Sequence, residues 1–356
     1  MVSAVRRRAE AMSGGAGLIE GPLEGYHHET YVLWLPDGGG PVKVREPRSR
    51  VLWFDRRCFL SEEELLRDLR RYLPQVPEVI EVGDTGLQRF IVGRTLGAEL
   101  RADPRVSGPV LEQIVGLFRG MAGITAEMLS ARRRCSPADH CADGDSEGFL
   151  RRLVAFVRDE VYAANLERFG GLFHDLGIDD RTLDRLEERV SGLTSRPFSL
   201  LHADLHHDNL VIDPRGGLWA IDWELAMVGD PLYDLATHLY LHRYPADQER
   251  WTVREWCAAV EAVRPGASRG WQRDLPRITE FKRAQSAFTD VIRVAMSIPR
   301  ESPLGRADFL RATDRLHPIL RRAAEPLGMD EIADPVKIMR ALIRWHARPD
   351  SRTTQS

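Results

Sequence analysis

The spacing of apolar residues changes once along this 356-residue chain, and that change limits the fold more than any other feature of the sequence. Up to residue 93, apolar residues alternate in short runs separated by glycine, proline and aspartate, which is typical of strands joined by turns. From residue 108 onward they recur at helical spacing over longer segments. The sequence therefore predicts an α+β protein with a small β-rich part followed by a larger, mainly helical part.

The individual elements follow from the same patterns. Predicted strands cover residues 18–23, 30–35, 42–45, 79–82 and 88–92. Ser61 and Glu64 fit a capping box that opens a helix through about Tyr72. Further predicted helices cover residues 109–129, 147–166, 181–192, 231–242, 252–263, 275–297, 305–323 and 333–346.

The length of the chain exceeds what one hydrophobic core usually supports, so two lobes are expected. We place a β-rich N-terminal lobe at residues 16–93 and a larger, mainly helical C-terminal lobe at residues 94–350. Residues 1–15 contain an arginine run followed by Ser-Gly-Gly and are expected to form a mobile arm. Residues 351–356 are expected to form a tail.

Composition narrows the class of partner. The formal net charge of -3 and the pI of about 6.4 give no electrostatic reason to expect nucleic acid or an anionic membrane as a partner. No apolar run approaches the roughly 18 residues of a membrane span, and the first residues lack the apolar core of a secretory signal. Four unevenly spaced cysteines fit a reducing compartment. We therefore expect a cytoplasmic protein, a monomer or homodimer, that acts on small molecules.

One motif carries recognisable chemistry. Residues 202–209 read His-Ala-Asp-Leu-His-His-Asp-Asn, and a strand-like apolar run ends at Asp222. Phosphoryl transfer needs an aspartate that orients and deprotonates the acceptor hydroxyl, and hard oxygen ligands that hold magnesium on the nucleotide phosphates. Asp204 suits the first role, while Asn209 and Asp222 suit the second. A solvated aspartate in a polar loop would explain neither of the other two positions.

The same residues resemble the aminoglycoside phosphotransferase and choline kinase-like family, whose catalytic segment reads His-Gly-Asp-x-x-x-x-Asn and whose metal-binding Asp precedes Trp or Phe. Residues 229–235 also match the family's Gly-Asp-Pro-x-x-Asp-Leu segment. The resemblance implies a bilobal protein kinase-like fold, ATP or GTP as donor, and Mg2+. It also implies that His202 and Asp234 support the catalytic loop, although the helix dipole alone would favour an aspartate at position 234.

The chain departs from the family pattern at three positions. Ala203 stands where the family usually has glycine, a change expected to have little effect. His207 and Asp208 stand where the family often has Pro-Gly, which leaves open whether either side chain contacts substrate or metal or is simply exposed.

Lysine is rare here, with only Lys43, Lys282 and Lys337 among 50 basic residues. Lys43 lies between two valines in a predicted strand, so it is the first candidate for the cation that contacts the nucleotide phosphates, with Arg45 on the same face in reserve. A kinase holds such a lysine with a carboxylate on the adjoining helix. Glu62 shares the inward helical face, whereas Glu64 is assigned to the capping box. The dipole of a helix, however, favours acidic residues in its first turn even when no cation pairs with them.

Other site assignments are weaker. The loop at residues 24–29 lacks a glycine-rich fingerprint, so its backbone N-H groups would have to contact the phosphates. The segment at residues 90–100 is similar to the family's hinge, where backbone groups near Val92 and Arg94 would read the adenine. Asp290 and Arg293 lie on a helix that would line the acceptor cleft, but their spacing equally fits a surface ion pair.

The resulting function is an O-phosphotransferase of the EC 2.7.1 type. The first expectation for its acceptor is a hydroxyl of an antibiotic, of aminoglycoside or nucleoside type, giving resistance or self-protection. A kinase of a metabolite such as an amino alcohol or sugar is the alternative, and a nucleotide-binding pseudokinase is the alternative of another class. A metallohydrolase leaves Asn209 and Asp222 unexplained, and a zinc site at Cys135, His140 and Cys141 lacks a second ligand pair.

Overall fold

A computed structural model of the chain describes residues 3–13, 18–23, 28–35, 39–48, 56–83, 85–101, 104–134, 140–299 and 305–348. The chain divides into two compact units. Unit 1 comprises Met1–Gly144 and Arg196–Ser268, and unit 2 comprises Asp145–Ser195 and Arg269–Ser356. The lobe boundary expected near residue 93 stays a prediction.

The regular elements combine helices with short antiparallel strands, which confirms the predicted α+β class. The strands are β1 (Ile19–Leu23), β2 (His28–Trp34), β3 (Pro41–Pro47), β4 (Val79–Val82), β5 (Thr85–Gln88), β6 (Arg94–Thr95), β7 (Ser199–Leu201), β8 (Leu210–Ile212), β9 (Leu218–Ala220) and β10 (Met227–Gly229). The α-helices are α1 (Ala4–Met12), α2 (Glu62–Leu69), α3 (Leu96–Leu100), α4 (Gly108–Ala122), α5 (Ser146–Phe156), α6 (Leu166–Asp175), α7 (Asp180–Arg189), α8 (Pro231–His242), α9 (Ala246–Glu261), α10 (Trp271–Met296), α11 (Arg306–Leu327) and α12 (Pro335–His346).

The first sheet of unit 1 has the order β1-β2-β3, and its pairs are antiparallel. Strand β3 alternates as predicted, because Val42 and Val44 are fully buried while Lys43 and Arg45 lie on the opposite face. The register pairs Lys43 with Val32 and Arg45 with Thr30. The two cations therefore project together from one face of the sheet.

The expectation of a mobile arm at residues 1–15 is wrong for residues 4–12. Helix α1 begins at Ser3, whose side chain accepts a hydrogen bond from the backbone N-H of Arg6 at 3.1 Å. Val5 and Ala9 are buried in one hydrophobic cluster with Val42 and Val44 of the sheet. The sequence did not reveal this apolar face, because Val5 and Ala9 are small, lie four residues apart and enclose a run of three arginines.

Helix α2 begins as predicted at Ser61, whose Oγ accepts from the backbone N-H of Glu64 at 3.2 Å. The other half of the expected capping box does not form, because the Glu64 carboxylate binds the Arg132 guanidinium at 2.6 Å instead. The leucines of α2 are fully buried and Glu62 on the same face is 7% exposed. The inward orientation predicted for Glu62 is therefore present.

Short strand pairs position the catalytic segment of unit 1. Strand β8 pairs with both β6 and β9, and β7 pairs with β10. Helix α8 follows β10 and starts at Asp230, whose Oδ1 accepts from the N-H of Leu232 at 2.9 Å. Asp230 is held in turn by Arg196, and both side chains are completely buried. Because this ion pair fixes the first turn of α8, it also fixes the position of Asp234 one turn further on.

Unit 2 is helical throughout its regular elements. Its core includes the Phe169 and Trp345 rings, stacked with centroids 5.3 Å apart, and the Tyr162 ring, which is 5.9 Å from that of Phe288. The helix predicted at 147–166 is interrupted, because α5 continues into a π-helical turn at Val157–Tyr162. The described residues include no helix with the length and apolar character needed to cross a bilayer.

Candidate active site

The catalytic loop, residues 202–209, is held by backbone contacts from elements that are distant in sequence. Oδ2 and Oδ1 of Asp234 accept hydrogen bonds from the backbone N-H groups of His202 at 2.9 Å and Ala203 at 2.8 Å. The imidazole of His238, on the same helix, lies 2.8 Å from the carbonyl oxygen of Leu205. Ala203 has a φ of 66°, a left-handed conformation that costs non-glycine residues free energy. The contacts of Asp234 are those that the bracing role implied by the resemblance requires.

His202 links the loop to the segment that carries Asp222. Its Nδ1 accepts from the backbone N-H of Asp204 at 3.3 Å, so the ring proton lies on Nε2, which donates to the Ile221 carbonyl at 3.0 Å. The ring is fully buried and lies 4.6 Å from that of Trp223. Burial lowers its pKa to about 4. His202 is therefore neutral, in the tautomer that joins these two segments.

The three oxygen-bearing residues of the predicted centre come together through backbone contacts. Asn209 donates from Nδ2 to the carbonyl oxygen of Asp204 at 2.9 Å and to its Oδ2 at 3.4 Å. The backbone carbonyl of Asn209 accepts from the N-H of Ile221 at 2.9 Å. Asp222 follows directly in a left-handed conformation with a φ of 67°. The spacing of five and thirteen residues thus brings Asp204, Asn209 and the start of the Asp222 turn into one site.

The donor set of this site fits Mg2+. Because Asn209 Nδ2 faces Asp204, its Oδ1 points away from that residue and remains as a hard oxygen donor. Burial and the neighbouring carboxylates of Glu62 and Glu224 raise the pKa of Asp222, so a cation beside these groups would be favoured. Across the described residues no cluster of three or more His, Cys, Asp or Glu side chains is arranged to hold a metal. A magnesium ion here would therefore depend on nucleotide phosphates for further ligands.

The sequence predicted that Glu62 pairs with Lys43, and this prediction is wrong, because Glu62 forms its ion pair with Arg45. The Arg45 guanidinium contacts the Glu62 carboxylate and lies 3.3 Å from that of Glu63. The other oxygen of Glu62 accepts from the backbone N-H of Trp223 at 2.8 Å. Although burial opposes its ionisation, the charges of Arg45 and then Lys43 hold the pKa of Glu62 well below its usual range. One carboxylate thus joins strand β3 to the residue after Asp222.

The charge of Asp222 acts on the ammonium group of Lys43. Burial lowers the pKa of its ammonium group, and the carboxylate of Asp222 is the largest influence in the opposite direction. Arg45, by contrast, forms a direct ion pair with Glu62. The first candidate, Lys43, and the reserve, Arg45, are therefore in different environments.

A second carboxylate of the Asp222 segment forms a charged cluster. Glu224 is almost buried, and its Oε2 lies 2.7 Å from the Arg57 guanidinium and 3.5 Å from Nδ1 of His28. Burial and the charge of Arg45 lower the pKa of His28 to about 4. His28 opens strand β2 and belongs to the expected phosphate loop at residues 24–29, of which residues 24–27 lie outside the described residues.

His207 and Asp208, whose roles the sequence left open, pack against helix α3. The N-H of Gly97 donates to the carbonyl of His207 at 3.0 Å, and a Cβ on Gly97 would lie 2.2 Å from Oδ1 of Asp208. Nε2 of His207 is 3.3 Å from the half-exposed carboxylate of Asp208. Glycine is thus required at position 97 because the catalytic loop packs directly on it.

The remaining predicted site residues stay predictions. Val92 is 46% exposed, and Arg94 pairs with Ile212 across β6 and β8 while its side chain contacts Glu99 at 3.2 Å. Asp290 and Arg293 lie on α10 in unit 2, with their charged groups 3.9 Å apart. This is the geometry of the ordinary ion pair considered above.

Several site residues were missed by sequence reasoning. Arg45 as the partner of Glu62, His206 and His238 around the loop, and Glu224 beside Asp222 were not assigned roles. The signal for Glu224 was available, because it is a charged residue two positions after the metal aspartate in a buried segment. His238 carried a weaker signal, one helical turn after Asp234 on the same face of α8.

Two solved proteins are similar to this chain over nearly their whole length. A choline/ethanolamine kinase family protein from Mesorhizobium loti is 17% identical, with a TM-score of 0.50 and coverage of 95% of this chain and 99% of that chain. A thermostable mutant of the aminoglycoside phosphotransferase APH(4)-Ia, in a ternary complex with ADP and hygromycin B, is 15% identical, with a TM-score of 0.52 and coverage of 98% and 100%. This likeness confirms the predicted protein kinase-like fold. A family model described as the phosphotransferase enzyme family matches residues 19–281, more than half of the sequence, and the chain therefore belongs to that family.

Proposed function

We propose that this protein is a small-molecule kinase that transfers the γ-phosphoryl group of ATP or GTP to a hydroxyl group with the help of Mg2+. The single observation that carries the proposal is the contact chain from Asp204 through Asn209 to Ile221. It consists of the 2.9 Å bond from Asn209 Nδ2 to Asp204 and the 2.9 Å bond from the Ile221 N-H to Asn209. Phosphoryl transfer needs a base and oxygen ligands in one place, and these two hydrogen bonds support such an arrangement.

Asp204 is the proposed base. The acceptor oxygen forms a bond to the γ-phosphorus as the bond from that phosphorus to the bridging oxygen breaks, and the nucleoside diphosphate leaves with the bonding electrons. The proton of the acceptor hydroxyl passes to the carboxylate of Asp204. Because Asn209 Nδ2 lies 3.4 Å from Oδ2 of this carboxylate and also donates to the Asp204 carbonyl, little reorganisation is needed when the acceptor arrives.

Lys43 is the proposed phosphate cation, with Arg45 and Glu62 as its support. Asn209 and Asp222 would hold Mg2+, which when bound neutralises charge on the phosphate oxygens. His202 and Asp234 hold the catalytic loop in shape through the contacts described above. Backbone groups near Val92 and Arg94 remain the proposed adenine contacts.

The acceptor is proposed to be an antibiotic, with a metabolite such as an amino alcohol or sugar as the second candidate. Two similar folds support these two choices. One belongs to an aminoglycoside phosphotransferase solved with hygromycin B, and the other to a choline/ethanolamine kinase family protein. Mass spectrometry should reveal the gain of one phosphoryl group when purified protein, ATP or GTP and Mg2+ are incubated with aminoglycosides, nucleoside antibiotics, amino alcohols and sugars.

Substitution of the base tests the mechanism. Asp204→Asn should lower kcat by roughly 100- to 10,000-fold, because a general base contributes a factor of this size. Asp184→Asn, which removes an exposed carboxylate on α7, is the matched control and should retain wild-type turnover. Unchanged turnover in the Asp204 variant would refute the mechanism. A pseudokinase would instead be stabilised thermally by Mg-ATP and consume no nucleotide with any acceptor.

A further inference from the structure

His206 is a residue of the catalytic loop to which neither the motif nor the family match assigns a task. Its ring is partly buried, with 28% of the side chain exposed, and it lies between the backbone of Asp208 and the carboxylate of Asp204. Nδ1 of the ring is 3.1 Å from the backbone N of Asp208, and Nε2 is 3.5 Å from Oδ2 of Asp204. The ring therefore bridges two points of one loop.

The contact with Asp208 determines which ring nitrogen carries the proton. A backbone N-H donates only, so Nδ1 of His206 must accept, and the neutral ring then carries its proton on Nε2. That nitrogen faces a carboxylate, which accepts. The backbone of Asp208 thus makes His206 a donor aimed at Asp204.

The backbone of His206 is fixed as firmly as its ring. Its N-H donates to the carbonyl oxygen of Asp204 at 2.8 Å, and its own carbonyl accepts from the N-H of Asn209 at 2.9 Å. Because both neighbours belong to the proposed catalytic centre, the ring of His206 moves with that centre. Its distance to Oδ2 is at the outer limit of a hydrogen bond, and such contacts shorten when substrates bind.

We infer that His206 is a positioning residue that, together with Asn209, restrains the carboxylate of Asp204. Oδ2 faces two donors, Nε2 of His206 and Nδ2 of Asn209. Two donors on one oxygen restrict the rotation of the carboxylate. This inference rests on the proposed function, in which Asp204 is the base.

Two substitutions separate the two ring contacts. In His206→Asn the side-chain oxygen reaches the position of Nδ1 and preserves acceptance from the Asp208 N-H, but nothing reaches Asp204. In His206→Gln the amide nitrogen reaches the position of Nε2 and preserves the donor to Asp204. The control is His174→Gln, which removes an exposed imidazole on α6 of unit 2.

Steady-state kinetics with the acceptor found in the panel tests the inference. We expect His206→Asn to lower kcat by roughly ten- to a hundredfold, the effect of losing a hydrogen bond to a charged group. Nucleotide KM should change by less than about twofold, since the contact is not made to the nucleotide. His206→Gln should recover most of kcat, and the control should match the wild type. Nitrogen-15 NMR of the histidine rings should give His206 the signature of an Nε2-H tautomer.

The outcomes distinguish this inference from the proposed function. An active wild-type enzyme whose Asn and Gln variants have equal kcat would overturn the positioning role alone, as would an Nδ1-H tautomer for His206. A parallel loss of kcat and of thermal stability in both variants would show a purely structural role and would also overturn it. A wild-type protein without turnover on any acceptor would refute the proposed function, and the inference with it.

Discussion

The neutral state of His202 makes the stability of the protein sensitive to mild acid. Its imidazole is fully buried, and burial lowers its pKa from 6.5 to about 4. Protonation would place an Nδ1-H group against the backbone N-H of Asp204, which now donates to that nitrogen. The unfolded chain takes up this proton readily, whereas the folded chain does not.

The sign and size of the effect follow from this difference. Because the folded pKa is lower than the unfolded one, the contribution is fully present above pH 6.5 and is lost as the pH falls towards 4. At pH 5 the unfolded imidazole is about 97% protonated and the folded one about 9%. The free energy of unfolding should therefore fall by about 2 kcal/mol between pH 7 and pH 5 through this one residue.

His202→Gln tests this reasoning because glutamine preserves a donor to the Ile221 carbonyl but does not titrate. Urea unfolding followed by tryptophan fluorescence at pH 7 and pH 5 should give a decrease for the variant that is smaller than the wild-type decrease by about 2 kcal/mol. His174→Gln should leave the wild-type decrease unchanged. Equal decreases in wild type and His202→Gln would refute the argument from burial.

Four further substitutions probe the loop and its neighbours. Ala203→Gly should raise the free energy of unfolding by about 0.5–1 kcal/mol, since relief of the left-handed strain exceeds the entropy that glycine adds to the unfolded chain; thermal unfolding measures this. Gly97→Ala should lower kcat at least tenfold because its Cβ would meet the catalytic loop, while Gly116→Ala, whose Cβ meets nothing within 4 Å, should be neutral or stabilising. Lys43→Met should raise nucleotide KM with little effect on stability, whereas Arg45→Met should destabilise by about 3 kcal/mol because Glu62 remains buried without its cation. Nucleotide titrations and urea unfolding measure these two effects. Equal changes in nucleotide KM and in stability for the Lys43 and Arg45 variants would contradict the separate roles of the two residues.

The sequence predicted those parts of the fold that depend on local patterns. The valines around Lys43 gave the orientation of β3, and the leucines of α2 placed Glu62 on the inward face. The strand predicted at residues 88–92 was misplaced, because β5 covers Thr85–Gln88 and the apolar run after it makes an isolated bridge from Arg89 to Val42 and a 2.8 Å hydrogen bond from the Phe90 N-H to the Pro41 carbonyl. Helix α6 was not predicted, since the predicted helices left residues 167–180 unassigned.

The catalytic segment was predictable because its chemistry demands particular residues at fixed spacing. The choice of partner among similar charges was not. Lys43 and Arg45 point to the same side of one strand, and only the three-dimensional path of α2 decides that Arg45 reaches Glu62. The left-handed conformation of Ala203 was not predicted for a related reason, because its φ of 66° belongs to a loop whose backbone N-H groups are held by a helix distant in sequence.

Unit 1 is built from two stretches of the chain, Met1–Gly144 and Arg196–Ser268. Strand β6 is therefore synthesised well before its partner β8. The backbone N-H groups of the catalytic loop that bind Asp234 likewise have no acceptor until the helix that begins at Pro231 has been synthesised. Until β8 has been synthesised, β6 of a nascent chain is an unpaired strand, whose open backbone groups favour association with other chains. Translation that stops within residues 145–195 should accordingly yield an insoluble fragment rather than a smaller working enzyme.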